Sequence, residues 1–198
     1  MIAILDYGSG NLRSAERAFA LSGQSVEITS DRNKALEADG LVVPGVGAFG
    51  ACMEQLNRIG GADIIRERVS SGRPILGICV GMQILFSQGL EKGVHQGVGI
   101  FAGEVSEIKA PVLPHIGWNT VQSAPGSQLF AGIEEEMFYF VHSYGVKVQE
   151  APALIATTEY GEKFIAAIER DNVSATQFHP EKSGKAGAAL IKNWVETL

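Results

Sequence analysis

The sequence RPILGICVGMQILF at residues 73–86 decides the fold of this chain. Its first part, RPILGIC (73–79), is a short apolar run typical of a buried strand, and VGMQILF (80–86) directly after it predicts a helix. Glycines stand two residues before and two residues after Cys79. A sharp strand-to-helix turn that holds a nucleophile needs such glycines, because a Cβ atom there would clash. The stretch therefore predicts a nucleophile elbow with Cys79 at its tip.

The position of Cys79 at the start of a helix favours a reactive sulfur, because the partial positive charge of a helix N-terminus stabilises a thiolate. The competing interpretation is a buried structural cysteine, which is where a free Cys usually lies. The two flanking glycines at a strand–helix junction favour the nucleophile. Cys52, the other cysteine, has no such flanks and is interpreted as a packing residue.

Apolar runs alternate with helical patterns through the first half of the chain. Strands are predicted at 1–6, 25–30, 38–45 and 73–79, with helices at 12–23, 48–58 and 62–72. This alternation is typical of βαβ units in a parallel, doubly wound sheet. Between Gly97 and Gln177 the pattern changes to short β-rich segments separated by turn residues, which predicts mixed or antiparallel pairing, before a last helix at about 184–197. We expect one α/β domain over 1–198, with a mixed, mostly parallel sheet and a β-rich second half.

Composition excludes several classes of protein. Lys and Arg total 16 against 22 Asp and Glu, a net charge of −6, so the chain lacks the basic excess of a nucleic-acid binder. No apolar run approaches the roughly 20 residues that cross a membrane. The N-terminus lacks the basic region of a signal peptide, which predicts a cytoplasmic location. Two cysteines give neither a disulfide framework nor metal-ligand spacing, so no metal is expected.

A thiol nucleophile needs a base, and among the four histidines only His179 has a carboxylate placed to orient it. In QFHPE (177–181), residues two apart would share a face if the chain is extended, so Glu181 would hold one ring nitrogen of His179 while the other faces the thiol. Pro180 favours extended geometry at His179. HPE alone is also typical of a surface His beside a surface Glu. Together with the elbow, it predicts a Cys79-His179-Glu181 triad.

Acyl chemistry also needs donors for an oxyanion. The backbone N–H of Val80, directly after the nucleophile, is one candidate, and Gly45, Val46 and Gly47 after the third strand offer a second. The alternative for this loop is phosphate binding. PGVGAFG (44–50) lacks both the Lys-Ser/Thr of a P-loop and the GxGxxG spacing, so the oxyanion role is favoured.

Six motifs together resemble one enzyme family, nearly end to end: GICVGMQILF, QFHPEKSG, DYGSGN (6–11), PGVGAFG (44–50), HIGWN (115–119) and YFVHSY (139–144). They are similar to those of the class I (triad) glutamine amidotransferases, which have a flavodoxin-like fold, and within that class to glutaminase subunits of imidazole glycerol phosphate synthases. The glutaminase subunits of pyridoxal 5′-phosphate synthases also have a Cys elbow and an HPE, but DYGSGN and HIGWN are not expected in them.

The resemblance implies a mechanism without metal or organic cofactor. Cys79 attacks the side-chain amide of glutamine, His179 moves the proton to the departing ammonia, and Glu181 orients His179. A γ-glutamyl thioester forms and water hydrolyses it to glutamate.

The resemblance also implies binding residues and a partner. Gln83 would help to hold glutamine, and Ser143 and Tyr144 would meet its amino-acid end through backbone groups. The ammonia would pass to a (β/α)₈-barrel cyclase subunit in a heterodimer, which forms imidazole glycerol phosphate and an aminoimidazole carboxamide ribonucleotide in histidine biosynthesis. Asn11 and Tyr139 are the candidates for the side that faces this partner.

Two hypotheses from other classes stay open at this point. A Cys peptidase or γ-glutamyl hydrolase could share the elbow and the HPE. Specificity for glutamine alone, with activation by a partner, would distinguish a glutamine amidotransferase from either of them. A flavodoxin-like regulator or binding module could instead use Asp6, at the end of the first strand, as its acidic site. Labelling of one thiol by a glutamine analogue would speak against it.

Overall fold

A seven-stranded sheet lies at the centre of the structure, a computed structural model that describes residues 1–148 and 152–198. In chain order the strands are β1 (Ile2–Leu5), β2 (Val26–Thr29), β3 (Gly40–Gly45), β4 (Ile75–Cys79), β5 (Phe86–Gly89), β6 (His95–Gln96), β7 (Phe101–Glu107), β8 (His115–Thr120), β9 (Met137–His142), β10 (Tyr144–Val146), β11 (Leu154–Tyr160), β12 (Glu162–Arg170) and β13 (Val173–Thr176).

The central sheet has the order β11-β12-β13-β4-β3-β1-β2. The five strands from β13 to β2 pair in parallel, and β11 and β12 extend that sheet by antiparallel pairing. A four-stranded sheet (β10-β7-β5-β6) and the two-stranded ribbon β8–β9 complete the β-rich second half. The prediction of a mixed, mostly parallel α/β sheet is therefore confirmed.

The helices follow the predicted alternation with one omission. They are α1 (Leu12–Ala20), α2 (Arg32–Glu37), α3 (Phe49–Arg58), α4 (Gly61–Ser70), α5 (Val80–Gln83) and α6 (Gly184–Val195). Asn11 is the N-cap of α1, since its side chain accepts a hydrogen bond from the backbone N–H of Ser14. The short helix α2 was not predicted, although Asp31 caps it in the same way. Within residues 1–148 and 152–198, none of the helices has the length and apolar character needed to span a bilayer.

The single helix predicted over 80–86 was wrong. Only α5 is helical, and β5 begins at Phe86. The reason is competition for the backbone: the carbonyls of Ile84 and Leu85 accept hydrogen bonds from the N–H groups of Val98 and Ile100. An apolar run of this length is buried in either conformation, so its pattern could not distinguish helix from strand.

A buried arginine ties α4 to helix α2 and to the segments that lead into β3 and β4. The guanidinium of Arg68 donates to backbone carbonyls of Ala35, Leu36, Ala38, Asp39 and Pro74. Burial lowers the pKa of Arg68 to about 10, with a further decrease from Arg73 and an opposing effect of Asp39, so the side chain stays cationic at neutral pH. The guanidinium supplies the hydrogen bonds that these carbonyls, buried away from water, would otherwise lack.

We expect Arg68→Met to lower the free energy of unfolding by about 2–3 kcal/mol, because the carbonyls stay buried without donors. Urea denaturation measures this loss. Arg73→Met is the matched control: its guanidinium makes one exposed hydrogen bond, to the carbonyl of Glu37, so about 0.5 kcal/mol or less is expected. Equal losses in the two variants would contradict this account of Arg68.

Candidate active site

The tight turn predicted around Cys79 is present. Strand β4 ends at Cys79 and α5 begins at Val80. Cys79 has φ 56° and ψ −114°, a conformation that non-glycine residues rarely adopt and that the surrounding structure must hold in place. A Cβ atom on Gly81 would overlap the carbonyl oxygen of Val43, and one on Gly77 would lie 2.8 Å from the carbonyl oxygen of Gly81. The glycines are therefore required by close backbone approach, as the spacing predicted.

His179 and Glu181 are in contact, though not for the predicted reason. Nδ1 of His179 lies 2.7 Å from Oε1 of Glu181, and both side chains are 4% exposed. His179 itself is extended (φ −100°, ψ 97°), but Pro180–Lys182 forms a 3₁₀ turn. The carboxylate meets the imidazole because the chain turns after His179; the assumption of an extended segment through Glu181 was wrong.

The environment of His179 favours a charged imidazole. Burial lowers its pKa, but the neighbouring Cys79 sulfur and Glu181 carboxylate outweigh burial and raise the pKa to about 9. Nε2 of His179, the nitrogen not used by Glu181, makes no hydrogen bond of ordinary geometry within the described part of the chain. This nitrogen is thus free to exchange a proton with a group placed beside Cys79.

A cavity of about 400 Å³ connects the candidate catalytic and binding residues. Its lining comprises Val46, Gly47, Cys79, Val80, Gln83, Glu91, Val141, His142, Ser143, Tyr144, His179 and Lys182. Every residue predicted to bind glutamine lies on it, together with the predicted nucleophile and base. A larger concavity of about 680 Å³ lies near the other ends of β4 and β13, beside Pro74 and Asn172, and none of the candidate residues lines it.

Gln83 and Gln177 join the nucleophile to the opposite wall of the cavity. Nε2 of Gln83 donates to the carbonyl of Tyr144 at 2.8 Å and to Oε1 of Gln177 at 3.0 Å. Nε2 of Gln177 in turn lies 3.8 Å from the Sγ atom of Cys79. Sequence reasoning missed Gln177, although its position two residues before His179 places both side chains on one face of an extended segment.

The loop predicted to supply an oxyanion donor is held by a neighbouring side chain. The N–H of Val46 donates to the Oγ atom of Ser9 at 3.0 Å, and that hydroxyl donates to the carbonyl of Val46 at 2.9 Å. The thiol of Cys52 donates to the same carbonyl at 3.2 Å, and burial raises the pKa of this thiol. Cys52 is buried as expected of a packing residue, and Ser9, which sequence reasoning missed, stands in the DYGSGN motif.

The other members of the predicted oxyanion set lie around the elbow. Gly45 is the register partner of Cys79 between β3 and β4, and Val80 follows the nucleophile at the start of α5. Gly47 adopts φ 92°, a conformation natural only to glycine, with open space where a side chain would point. Gly47 therefore allows the loop a backbone conformation that a residue with a side chain would resist.

Asn11 and Tyr139, the candidates for a partner-facing side, both adjoin the His179–Glu181 pair. Asn11 is exposed and borders a small cleft lined by His179 and Glu181, and the carbonyl of Tyr139 accepts the backbone N–H of His179 at 2.9 Å. Tyr139 lies on the ribbon β8–β9, where its ring contacts that of Trp118 at 6.0 Å. The outward face of this ribbon carries large apolar side chains: Ile116, Trp118 and Met137 are 59%, 52% and 44% exposed.

Asp6 makes a structural contact within its own turn. Its Oδ1 atom accepts the backbone N–H of Gly8 at 3.1 Å, which shapes the turn after β1. In the described ranges, no group of three or more His, Cys, Asp or Glu side chains could hold a metal ion.

The glutamine amidotransferase class-I family matches residues 3–198. The chain belongs to this family. Among its curated relatives, the imidazole glycerol phosphate synthase subunits HisH of Mycobacterium bovis, Thermobifida fusca and Bifidobacterium longum are 56%, 54% and 49% identical over 201, 207 and 210 residues. The first two matches cover 100% of this chain and 98% of the relative, and the third covers 98% of both.

Solved structures agree on the fold of this glutamine amidotransferase. A crystal structure described as a glutamine amidotransferase superposes with a TM-score of 0.79 at 17% identity, covering 98% of this chain and 97% of that one. The PurLQS structure from Thermotoga maritima gives 0.74 at 19% identity, covering 99% and 97%. At such identities these similarities support the fold alone.

Proposed function

We propose that this chain is the glutaminase subunit of an imidazole glycerol phosphate synthase, a single domain over 1–198 that acts in the cytoplasm. The observation that carries the proposal is the cavity in which Cys79, His179 and the glutamine-binding candidates meet, in a chain of this family. The relatives named as HisH subunits, which match end to end, support the choice of synthase over the glutaminase of pyridoxal 5′-phosphate synthase.

The proposed chemistry begins at Cys79. Its sulfur attacks the side-chain carbonyl carbon of glutamine and forms a C–S bond, and the C–N bond then breaks as Nε2 of His179 gives a proton to the departing ammonia. The attacking sulfur is a thiolate, so loss of the imidazole proton to ammonia leaves His179 neutral. Water then attacks the thioester while the same nitrogen accepts its proton, which releases glutamate and restores the thiolate beside a protonated His179. A pKa of about 9 keeps His179 protonated at neutral pH, as the first step requires, and Glu181 stabilises the cation through Nδ1.

The proposed substrate site uses opposite walls of the cavity. Gln83 and the segment Ser143–Tyr144 would hold glutamine from one side. Glu91, which sequence reasoning missed, is half-buried on the same cavity, and its carboxylate accepts the backbone N–H of Phe49 at 3.0 Å. Glutamine carries an α-ammonium group, and Glu91 offers the negative charge that would pair with it.

The oxyanion hole would be completed by a change in the loop. The N–H of Val80 is the proposed fixed donor. The N–H of Val46 is bonded to Ser9, so it could serve only after the loop turns about Gly47, while Gly45 stays paired in β3. Such a loop would keep the subunit from hydrolysing glutamine until its partner binds.

The proposed partner is a (β/α)₈-barrel cyclase that receives the ammonia. Asn11 and Tyr139 would face it, because both adjoin the His179–Glu181 pair, beside which glutamine would release its ammonia. The exposed apolar side chains of Ile116 and Trp118 on the same ribbon as Tyr139 fit a docking surface.

Mixing the purified chain with the cyclase subunit of an imidazole glycerol phosphate synthase tests the proposal. We expect the two to co-elute on size exclusion and glutamine hydrolysis to rise about 100-fold or more when the cyclase and its nucleotide substrate are present. Activation by a pyridoxal 5′-phosphate synthase partner instead would point to that enzyme. Hydrolysis of γ-glutamyl peptides without any partner would point to a γ-glutamyl hydrolase.

The pKa of His179 predicts how the glutaminase reaction depends on pH. The protonated imidazole is the acid, so turnover in the complex should fall as pH rises through about 9. Because Glu181 is one of the groups that raise this pKa, the residual activity of Glu181→Gln should begin to fall at a lower pH than the activity of wild type. The raised pKa also means that the charged form of His179 stabilises the folded state. This contribution to the free energy of unfolding is complete below the unfolded pKa of 6.5 and is lost as pH approaches about 9. An unchanged alkaline limb in Glu181→Gln would contradict the assigned role.

A further inference from the structure

Two buried histidines at the wall of the cavity have no part in the proposed chemistry: His142 lines the cavity, and His115 contacts His142. His115 on β8 and His142 on β9 face each other across the ribbon, with Nδ1 of His115 3.2 Å from Nε2 of His142. His115 stacks between the rings of Phe140 and Tyr160, and His142 packs edge-on against Phe164. Both imidazoles are buried. The ring nitrogens of histidines buried among apolar groups need hydrogen-bond partners.

The hydrogen bonds of this pair specify one tautomer for each ring. Nδ1 of His142 lies 2.9 Å from the carbonyl oxygen of Tyr144, which can only accept, so Nδ1 carries the proton. Burial lowers the pKa of His142 to about 4, so its Nε2 has no proton at neutral pH and must accept. Nδ1 of His115 is therefore the donor to it, and burial lowers the pKa of His115 as well.

The bonds converge on the carbonyl of Tyr144. This oxygen accepts both Nδ1–H of His142 and Nε2–H of Gln83, and the carbonyl of Ser143 accepts the N–H of Ile108 at 3.0 Å. The orientation of the bend between β9 and β10 is thus fixed from two sides. The bend is the wall of the cavity that is proposed to bind the amino-acid end of glutamine.

We propose that His142 is a positioning residue for glutamine, which holds the Ser143–Tyr144 bend through the carbonyl of Tyr144, and that His115 sets the tautomer His142 needs. This inference rests on the proposed function. A wall that contacts the amino-acid end of the substrate binds ground state and transition state alike, so its loosening raises KM more than it lowers kcat.

The test compares His142→Phe with His142→Asn in the complex with the cyclase. Phe fills a similar volume among aromatic rings and removes both hydrogen bonds, whereas the amide N–H of Asn can take the place of Nδ1–H. We expect His142→Phe to raise the KM for glutamine about tenfold, with kcat changed by about threefold or less, and His142→Asn to keep KM within about threefold. His115→Phe leaves the bond to Tyr144 possible but no longer selects the tautomer, so an intermediate KM is expected.

Co-elution of each variant with the cyclase on size exclusion is the folding control, and it should be unchanged. A wild-type KM in His142→Phe, or an equal change of KM in His142→Phe and His142→Asn, would overturn the positioning role of His142. A wild-type KM in His115→Phe would overturn the role of His115. If His142→Phe does not fold, the His142→Asn and His115→Phe values decide. Absence of glutamine hydrolysis in the wild-type complex is a separate result and would overturn the proposed function instead.

Discussion

In the complex with the cyclase, Cys79→Ala should reduce glutamine-dependent synthesis by about 1,000-fold or more, because no other group described on the cavity can form the thioester. Synthesis from added ammonium salt should stay within about twofold of wild type, since the variant removes only the source of ammonia and leaves the partner's site intact. Co-elution of Cys79→Ala with the cyclase on size exclusion separates loss of chemistry from loss of folding.

Cys52 is the internal control for this experiment. It is the other thiol of the chain, it is free, and it remains in the variant. A glutamine-analogue affinity label should modify wild type once, at Cys79, and should not modify Cys79→Ala. Glutamine hydrolysis retained in Cys79→Ala, or labelling of Cys52, would refute the assignment of the nucleophile.

The second large effect concerns the backbone under the nucleophile. Gly81→Ala should lower the free energy of unfolding by about 4 kcal/mol or more, or prevent folding, because its Cβ would overlap the carbonyl oxygen of Val43. This oxygen belongs to β3, at the centre of the parallel sheet, and it cannot move aside as a flexible side chain would. Urea denaturation of the isolated subunit measures the effect.

Gly72→Ala provides the comparison. Gly72 has φ 74° with open space around it, so an alanine there bears only the cost of a left-handed backbone, about 1 kcal/mol. The difference between the two variants therefore isolates the steric overlap at the elbow. Similar losses at the two positions would mean that the elbow tolerates a side chain and that the close approach of β3 and α5 is not required.

The nucleophile elbow and the alternation of strands and helices could be predicted because both depend on neighbours in sequence. A positive φ at Cys79 with glycines on both sides has a local signature, and the apolar runs of parallel strands are continuous. The helix predicted over 80–86 failed for the opposite reason. Hydrogen bonds from Val98 and Ile100, more than ten residues away, decide the conformation of that apolar run.

The His179–Glu181 pair shows how a correct contact can have a different cause. Two residues at this separation meet in an extended strand or in a suitable turn, and only the structure distinguishes the two. The 3₁₀ turn after His179 brings Glu181 to its contact with the imidazole.

From the order of residues alone came the family, the α/β class and the candidate triad, because each depends on short motifs with fixed spacing. Folding in three dimensions decided which groups share one hydrogen-bond network. Gln177 reaches the nucleophile, Ser9 holds the N–H of Val46, and His142 fixes the carbonyl of Tyr144, all through partners distant in the chain. Hydrogen bonds act over about 3 Å, so which distant residues come within that distance depends on how the strands pack.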